Sequence, residues 1–422
     1  LESCVQNYEK WEPSIKAFVQ VDLAQARGDA DASSLRWKAG QPLSRIDGMP
    51  VGVKDIIETA HLTTEQGSPL FARWQSVRDA ASVSALREAG AYVFGKTVTT
   101  EFAATEPGPT RNPWDTDRTP GGSSSGSAAA VAAGIVPVAL GSQVIGSVIR
   151  PASYCGCVGY KPSLGAINRG GSFDYLSQSC VGILGNNLEE TWVVAREISS
   201  RVGGDPGAQG LSGPMNLPDM RKPQTVALLQ TEGFASLSAK ASAAFDTLRD
   251  RLGQLGISIL TRRDDKEIES LEHSIAEAGQ LSRSINAWES RWPLNTYATD
   301  MSAEGLSPAM RSRLSMARAM SLEEYHALLK KRWDIRSLYT QLSSRLDCCM
   351  TLSAPDVAPV GISSTGDPSF AIPGSLLGVP AISVPVFEID GMPLGVQVLG
   401  FNKGDADAFA IAAFMASDLR FE

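Results

Sequence analysis

Short apolar runs alternate with stretches of helical periodicity along most of the chain. Val51-Gly52-Val53-Lys54, Ala91 to Lys96, Val136-Pro137-Val138-Ala139-Leu140 and Thr225 to Leu229 read as strands. Asp79 to Ala89, closed by Gly90, and Leu188 to Ser200 read as helices, because their apolar positions recur every three to four residues. From Ser236 to Gln341 the helical period dominates, broken near Trp292-Pro293 and Gly305. Strand patterns return at Ala381 to Val384 and Leu394 to Val398, joined through Asp390-Gly391, a dipeptide suited to tight hairpins. A last helix is expected from Asp405 to Ser417, and Leu1 to Leu43 reads as a polar helical arm. This alternation predicts an α/β protein: a single large domain with a central mixed twisted sheet flanked by helices on both faces.

Composition narrows the picture. A chain of 422 residues that is 43% hydrophobic can bury a large core without disulfide or metal staples. The net charge of −8 argues against nucleic-acid binding, which needs clustered Lys and Arg. The one basic cluster, Arg311, Arg313, Arg318, Lys330, Lys331, Arg332 and Arg336, is spaced as a solvated helix face. Neither Cys155-x-Cys157 nor Cys348-Cys349 has redox or zinc spacing, so the six cysteines are expected as buried free thiols. No apolar run of ~18 residues suggests a membrane span. The chain opens at Leu1 rather than Met, which leaves a trimmed N-terminus open. A cytoplasmic, reduced protein is the expectation.

Two features carry chemistry. Asp47-Gly48-Met49-Pro50-Val51-Gly52-Val53-Lys54 recurs almost letter for letter as Asp390-Gly391-Met392-Pro393-Leu394-Gly395-Val396-Gln397, and both are expected to form the same turn and strand. A buried strand tolerates Gln397, whereas Lys54 is costly there unless it is used. The second feature is Thr119-Pro120-Gly121-Gly122-Ser123-Ser124-Ser125-Gly126-Ser127, followed by an alanine-rich run ending at Gly134. A flexible linker rarely leads straight into a buried helix, and a phosphate loop needs a lysine where Ser127 stands. Gly122 to Gly126 also satisfies the G-x-S-x-G nucleophile elbow with Ser124 as nucleophile, but the preceding residues are polar and hold prolines. A fourth reading takes a lysine as base.

With Lys54, Ser123 and Ser147 within Gly141-Ser142-Gln143-Val144-Ile145-Gly146-Ser147, these segments resemble the amidase signature family of serine hydrolases. The resemblance covers Asp47 to about Gly185 and resumes at the C-terminal strands. It divides the chain into an N-terminal helical arm (1–45), a catalytic core (46–200), a helical substrate-side region (201–345) and C-terminal strands with a helix (346–422). It implies Ser147 as nucleophile, Ser123 as a bridging serine held by a cis peptide bond after Gly122, and Lys54 as base. It also implies an oxyanion hole of the backbone amides of Val144, Ile145, Gly146 and Ser147, with Ser124 supporting. Lysine accepts a proton only when neutral, and burial favours that form.

The implied activity is hydrolysis of a small or aryl amide, with carbamates and esters as further candidates. No cofactor or metal is implied. The partner is a small-molecule amide or carbamate, with neither nucleic acid nor membrane involved, and the chain is expected as a monomer or homodimer. The runner-up readings are the glutamine-amidase A-type subunit of a tRNA-dependent amidotransferase and an α/β-hydrolase esterase using Ser124. Phe173, Tyr175 and Gln178 are candidates for the substrate pocket. Family members typically read GTDTGGSIR through the nucleophile, whereas here the aspartate and arginine positions hold Gln143 and Ile149, with Arg150 displaced by one. That pattern suggests a charge pair lost together, since one buried partner alone is costly.

Overall fold

A computed structural model describes residues 1–419; residues 420–422 of the C-terminal segment lie outside the described residues. Eleven strands form one mixed sheet: β1 (Phe18–Val21), β2 (Pro50–Lys54), β3 (Tyr92–Thr97), β4 (Val138–Gln143), β5 (Val158–Lys161), β6 (Cys180–Gly185), β7 (Thr225–Leu228), β8 (Ser258–Leu260), β9 (Cys348–Leu352), β10 (Ala381–Ile389) and β11 (Met392–Leu399). Their order is β1-β3-β2-β4-β6-β5-β10-β11-β9-β7-β8. β3, β2 and β4 run parallel, as do β9, β7 and β8, and the strands between these blocks pair antiparallel.

The sheet is buried on both faces, and the two-residue strand period distributes its side chains accordingly. Val138 and Leu140 join the main core with the helices Ala81–Glu88 and Leu188–Val202. Ala139 between them joins the opposite core with the helix Ser125–Ala132. Likewise Val226 and Leu228 face one core while Ala227 faces another, built with the helices Lys266–Ile275 and Leu322–Gln341.

Several expectations move by a few residues. The run Val136 to Leu140 becomes a strand only from Val138, because Pro137 has no N–H for the ladder. It extends through Gly141-Ser142-Gln143, whose letters carry no apolar signal. The expected N-terminal helical arm is two helices, Glu2–Ile15 and Leu23–Lys38, separated by the short strand β1. Strand β8 similarly interrupts the helical region.

The two echoing octapeptides do not form the same turn. Asp390 (φ 54°) and Gly391 (φ 75°) close the β10–β11 hairpin. At the first copy only Gly48 has positive φ, and β2 pairs with parallel neighbours. Asp47 is instead held by Arg36 Nε at 2.8 Å and by the Leu43 amide at 2.9 Å, so its carboxylate titrates lower, at about 2. Tertiary contacts decide the turn where the letters agree.

The basic cluster is only partly a solvated face. Arg332 is buried and donates to Ser177 Oγ at 2.8 Å. Arg336 Nε donates to the Leu376 carbonyl at 2.7 Å. Arg313 lines a cavity described below. All six cysteines are free, and all but Cys4 are fully buried.

Candidate active site

Strand β2 is buried along its whole length and ends at Lys54, whose side chain is 0% exposed. Its Nζ donates to Ser123 Oγ at 2.7 Å and to Ser142 Oγ at 3.0 Å. Burial pushes the Lys54 amine down to about 7, against the opposing pull of the Asp174 carboxylate. Sequence reasoning misses Ser142, although it stands five residues before Ser147. Its signal lies only in register: β2 pairs Val53 with Leu140 of β4, so Lys54 continues alongside Gly141 and Ser142.

The peptide bond between Gly122 and Ser123 is cis. The helix Ser125–Ala132 begins immediately afterwards, and it approaches the sheet very closely at Gly126. A Cβ there would stand 2.1 Å from the Ala17 carbonyl oxygen and 2.3 Å from the Val98 amide nitrogen, so only glycine fits. Ser127 Oγ lies 2.7 Å from Thr97 Oγ1 and donates to the Leu140 carbonyl at 2.9 Å, fastening the helix to β3 and β4. Ser124 is wholly buried, and its Oγ exchanges hydrogen bonds with the amide and carbonyl of Ser142, both at 3.3 Å. That burial removes Ser124 from any role as an elbow nucleophile.

The segment Val144 to Ser147 is held entirely through its carbonyls. Val144 O accepts from Gln178 Nε2 (2.9 Å), Ile145 O from Ser375 Oγ (2.8 Å), Gly146 O from the Arg150 amide (3.1 Å) and Ser147 O from the Ser124 amide (3.3 Å). Among the described residues, none accepts from the four amides of this segment. Gln143 completes the frame: its Oε1 accepts from the amides of Val148 (2.8 Å) and Ile149 (3.0 Å), and its Nε2 donates to Ser375 Oγ (3.0 Å).

Of the charge pair whose loss the sequence suggests, Gln143 is neutral and Ile149 apolar, while the displaced Arg150 keeps a cation nearby. Arg150 is buried beside the serines, donating through Nη2 to Gly122 O at 2.6 Å and Thr365 Oγ1 at 3.0 Å, and through Nη1 to Gly366 O at 3.0 Å. Backbone oxygens and a hydroxyl thus take the place of a carboxylate. The neutral Gln143 meets its two amides without a counter-charge.

Ser147 is 9% exposed and opens onto a cavity of about 200 Å³. Phe173 and Tyr175 line it, together with Asp174, Arg150 and Arg313. Gln178 does not; it lies behind the wall as the tether of the Val144 carbonyl. One side of the cavity is aromatic, with Phe102 and Tyr297 stacked at 5.1 Å. Arg313 makes no ion pair among the described residues, and burial pushes its guanidinium down despite the attraction of Glu101.

A family model described as Amidase matches residues 1–408. The chain belongs to the amidase family and is a hydrolase of amide C–N bonds. Among curated relatives, the A-type chain of the glutamyl-tRNA(Gln) amidotransferase of Chloroflexus aggregans is 30% identical over 447 residues, covering 94% of this chain and 88% of that one. A crystal structure of an amidase superposes with TM-score 0.85 at 24% identity, covering 99% and 95% of the two chains, and so shares the fold. A second solved structure, from a vestigial complex bearing on the origins of an s-triazine catabolic enzyme, has TM-score 0.84 at 25% identity and covers 100% and 95%. No helix among the described residues is long and apolar enough to cross a membrane.

Proposed function

We propose that the chain hydrolyses a small or aryl amide, with carbamates and esters as further substrates, through an acyl-enzyme on Ser147. The observation that carries this reading is a buried amine, brought to about 7 by desolvation and 2.7 Å from the Ser123 hydroxyl, within reach to accept its proton when neutral. A serine is a weak nucleophile until a neighbour takes its proton. In the proposed sequence neutral Lys54 draws the proton of Ser147 Oγ through Ser123. Ser147 Oγ then bonds to the carbonyl carbon, and the carbonyl oxygen becomes an oxyanion. The uncommitted amides of Val144 to Ser147 are the available donors for that oxygen. Collapse breaks the C–N bond while the proton returns through Ser123 to the leaving amine, which must depart protonated. Water repeats the attack on the acyl carbon, releasing the acid and restoring Ser147.

The test is turnover of p-nitroanilides, carbamates, esters and glutamine by wild type, Ser147→Ala and Lys54→Ala. Both variants are expected to lose at least ~10³-fold in kcat/KM while remaining folded. Near-wild-type turnover by either would overturn the assignment. The likeness to A-type amidotransferase chains supports a second reading, glutamine hydrolysis within a complex. Rapid glutamine turnover only when a partner chain is added would favour it. A cytoplasmic location belongs with either reading.

A further inference from the structure

A second, wider cavity of about 730 Å³ adjoins the first and opens to solvent. Tyr175, Glu289 and Trp292 line both, so the two cavities share a wall, with Ser147 lining the first. Two of these three are large aromatic side chains left in water: Tyr175 is 60% exposed and Trp292 is 72% exposed. The surrounding rings are already partnered. Trp288 stacks on Tyr325 at 5.3 Å and 16°, with the Arg291 guanidinium 5.2 Å from the same indole. Phe173 meets Tyr175 in a T-shaped contact at 6.2 Å and 71°, which leaves at least one face of Tyr175 uncovered by that ring. Glu289 is fixed between the cavities by the Ser177 amide at 2.7 Å and by the Tyr325 hydroxyl at 2.9 Å.

We propose that Tyr175 and Trp292 form a stacking clamp that holds a planar, aromatic leaving group where the two cavities meet. The direction follows from the chemistry, and it rests on Ser147 as the acylated residue. After the amine departs, the acyl group stays on Ser147 while water enters through the vacated space. The inner cavity, lined by Ser147, therefore belongs to the acyl group, and the more open outer cavity to the amine. Exposed aromatic faces lose unfavourable contact with water only when something flat covers them, and a π face prefers an aromatic ring to a saturated one. The clamp selects for shape and planarity at the amine, independently of what the inner cavity selects at the acyl group.

The test measures binding without turnover. N-methyl-, N-cyclohexylmethyl-, N-benzyl- and N-(1-naphthylmethyl)acetamide are titrated into the Ser147→Ala chain. Affinity is expected to rise about 10-fold from the methyl to the naphthylmethyl amide, with the cyclohexylmethyl amide gaining clearly less than the benzyl amide. Adding Trp292→Ala or Tyr175→Ala is expected to shrink that rise to roughly 3-fold or less. A flat series, equal gains for saturated and aromatic rings, or a rise that survives both substitutions would overturn the clamp. Labelling of wild type by a fluorophosphonate, mapped to a residue, separates this result from the catalytic assignment. Failure to label Ser147 would sink that assignment while leaving ring-dependent binding as a finding about the outer cavity alone.

Discussion

At the residue scale the central fact is a lysine that titrates near neutrality. Its ammonium form is inactive as a base, so kcat/KM should rise as pH increases through about 7 and level off above. Asp174 opposes the depression, because its carboxylate favours the charged amine. Asp174→Asn is therefore expected to move the rising limb toward lower pH, by up to ~1 unit; a limb left in place would argue that another group controls it. The same burial has a stability consequence. The folded chain holds Lys54 with a pKa near 7 and the unfolded chain with one near ~10.4, so the unfolded state binds the extra proton between those values. Stability should rise with pH across that window. Lys54→Met should abolish turnover yet raise stability at pH 7 by about 2 kcal/mol, after the loss of the two serine contacts. Chemical denaturation at pH 7 and pH 9.5 checks both signs. Gln143→Asp keeps an acceptor for the Val148 and Ile149 amides but loses the donor to Ser375 and buries a charge. It should lower stability by about 1–3 kcal/mol, and an unchanged melting temperature would show that neither the Ser375 contact nor the neutrality of the site matters.

At the element scale, the strands that are legible in the sequence are those whose letters report burial directly. β2, β3, β7 and β11 match the apolar runs to within two residues at either end. β1 and β8 are not legible. Each lies at an edge of the sheet and pairs with one neighbour, and each has only three or four residues, too few to show a period. In the site, Lys54, Ser123 and Ser147 can be read from sequence because unusual residues stand in an unusual motif. Ser142, Asp174 and the tethers Gln178 and Ser375 cannot, because their parts depend on register and on loops meeting from distant segments. The join between β3 and the residues after β2 is one such case. Lys96 Nζ lies 3.3 Å from Asp55 Oδ1, donates to Ile57 O and Thr64 Oγ1 at 2.7 Å each, and is wholly buried. Burial pulls this lysine down and pushes the Asp55 carboxylate up. Lys96→Ala would strand a buried carboxylate next to Lys54 and cost about 3–5 kcal/mol. Lys96→Met with Asp55→Leu should recover much of that loss, measured by thermal unfolding. A single substitution as mild as the double one would show that the pair contributes little.

At the scale of the whole molecule, the sheet and the loops after it carry the groups proposed for the reaction, while the long helical region lines much of the outer cavity. The parallel block β3-β2-β4 carries Lys54 and leads to Ser147, and the helices from Ala278 to Thr296 bring Glu289 and Trp292 over the opening. The groups proposed for chemistry and those proposed for amine recognition thus reside on separate structural units, and composition and periodicity outline the first better than the second. If the lone chain is the working enzyme, size-exclusion chromatography should place amide hydrolysis in the peak of a monomer or dimer. Activity confined to a larger, mixed assembly would favour glutamine hydrolysis within a complex.

All three groups of the proposed relay are encoded before residue 150, yet several bonds of the surrounding frame arrive much later. Ser375 fastens the Ile145 carbonyl and the Gln143 amide, while Thr365 and Gly366 anchor Arg150. A nascent chain emerging through residue 350 would carry all three groups of the proposed relay without the struts that brace the backbone beside them. If the proposed relay is the working site, competence is among the last properties acquired during synthesis, and a product terminated there is expected to be inert however well its first half has collapsed.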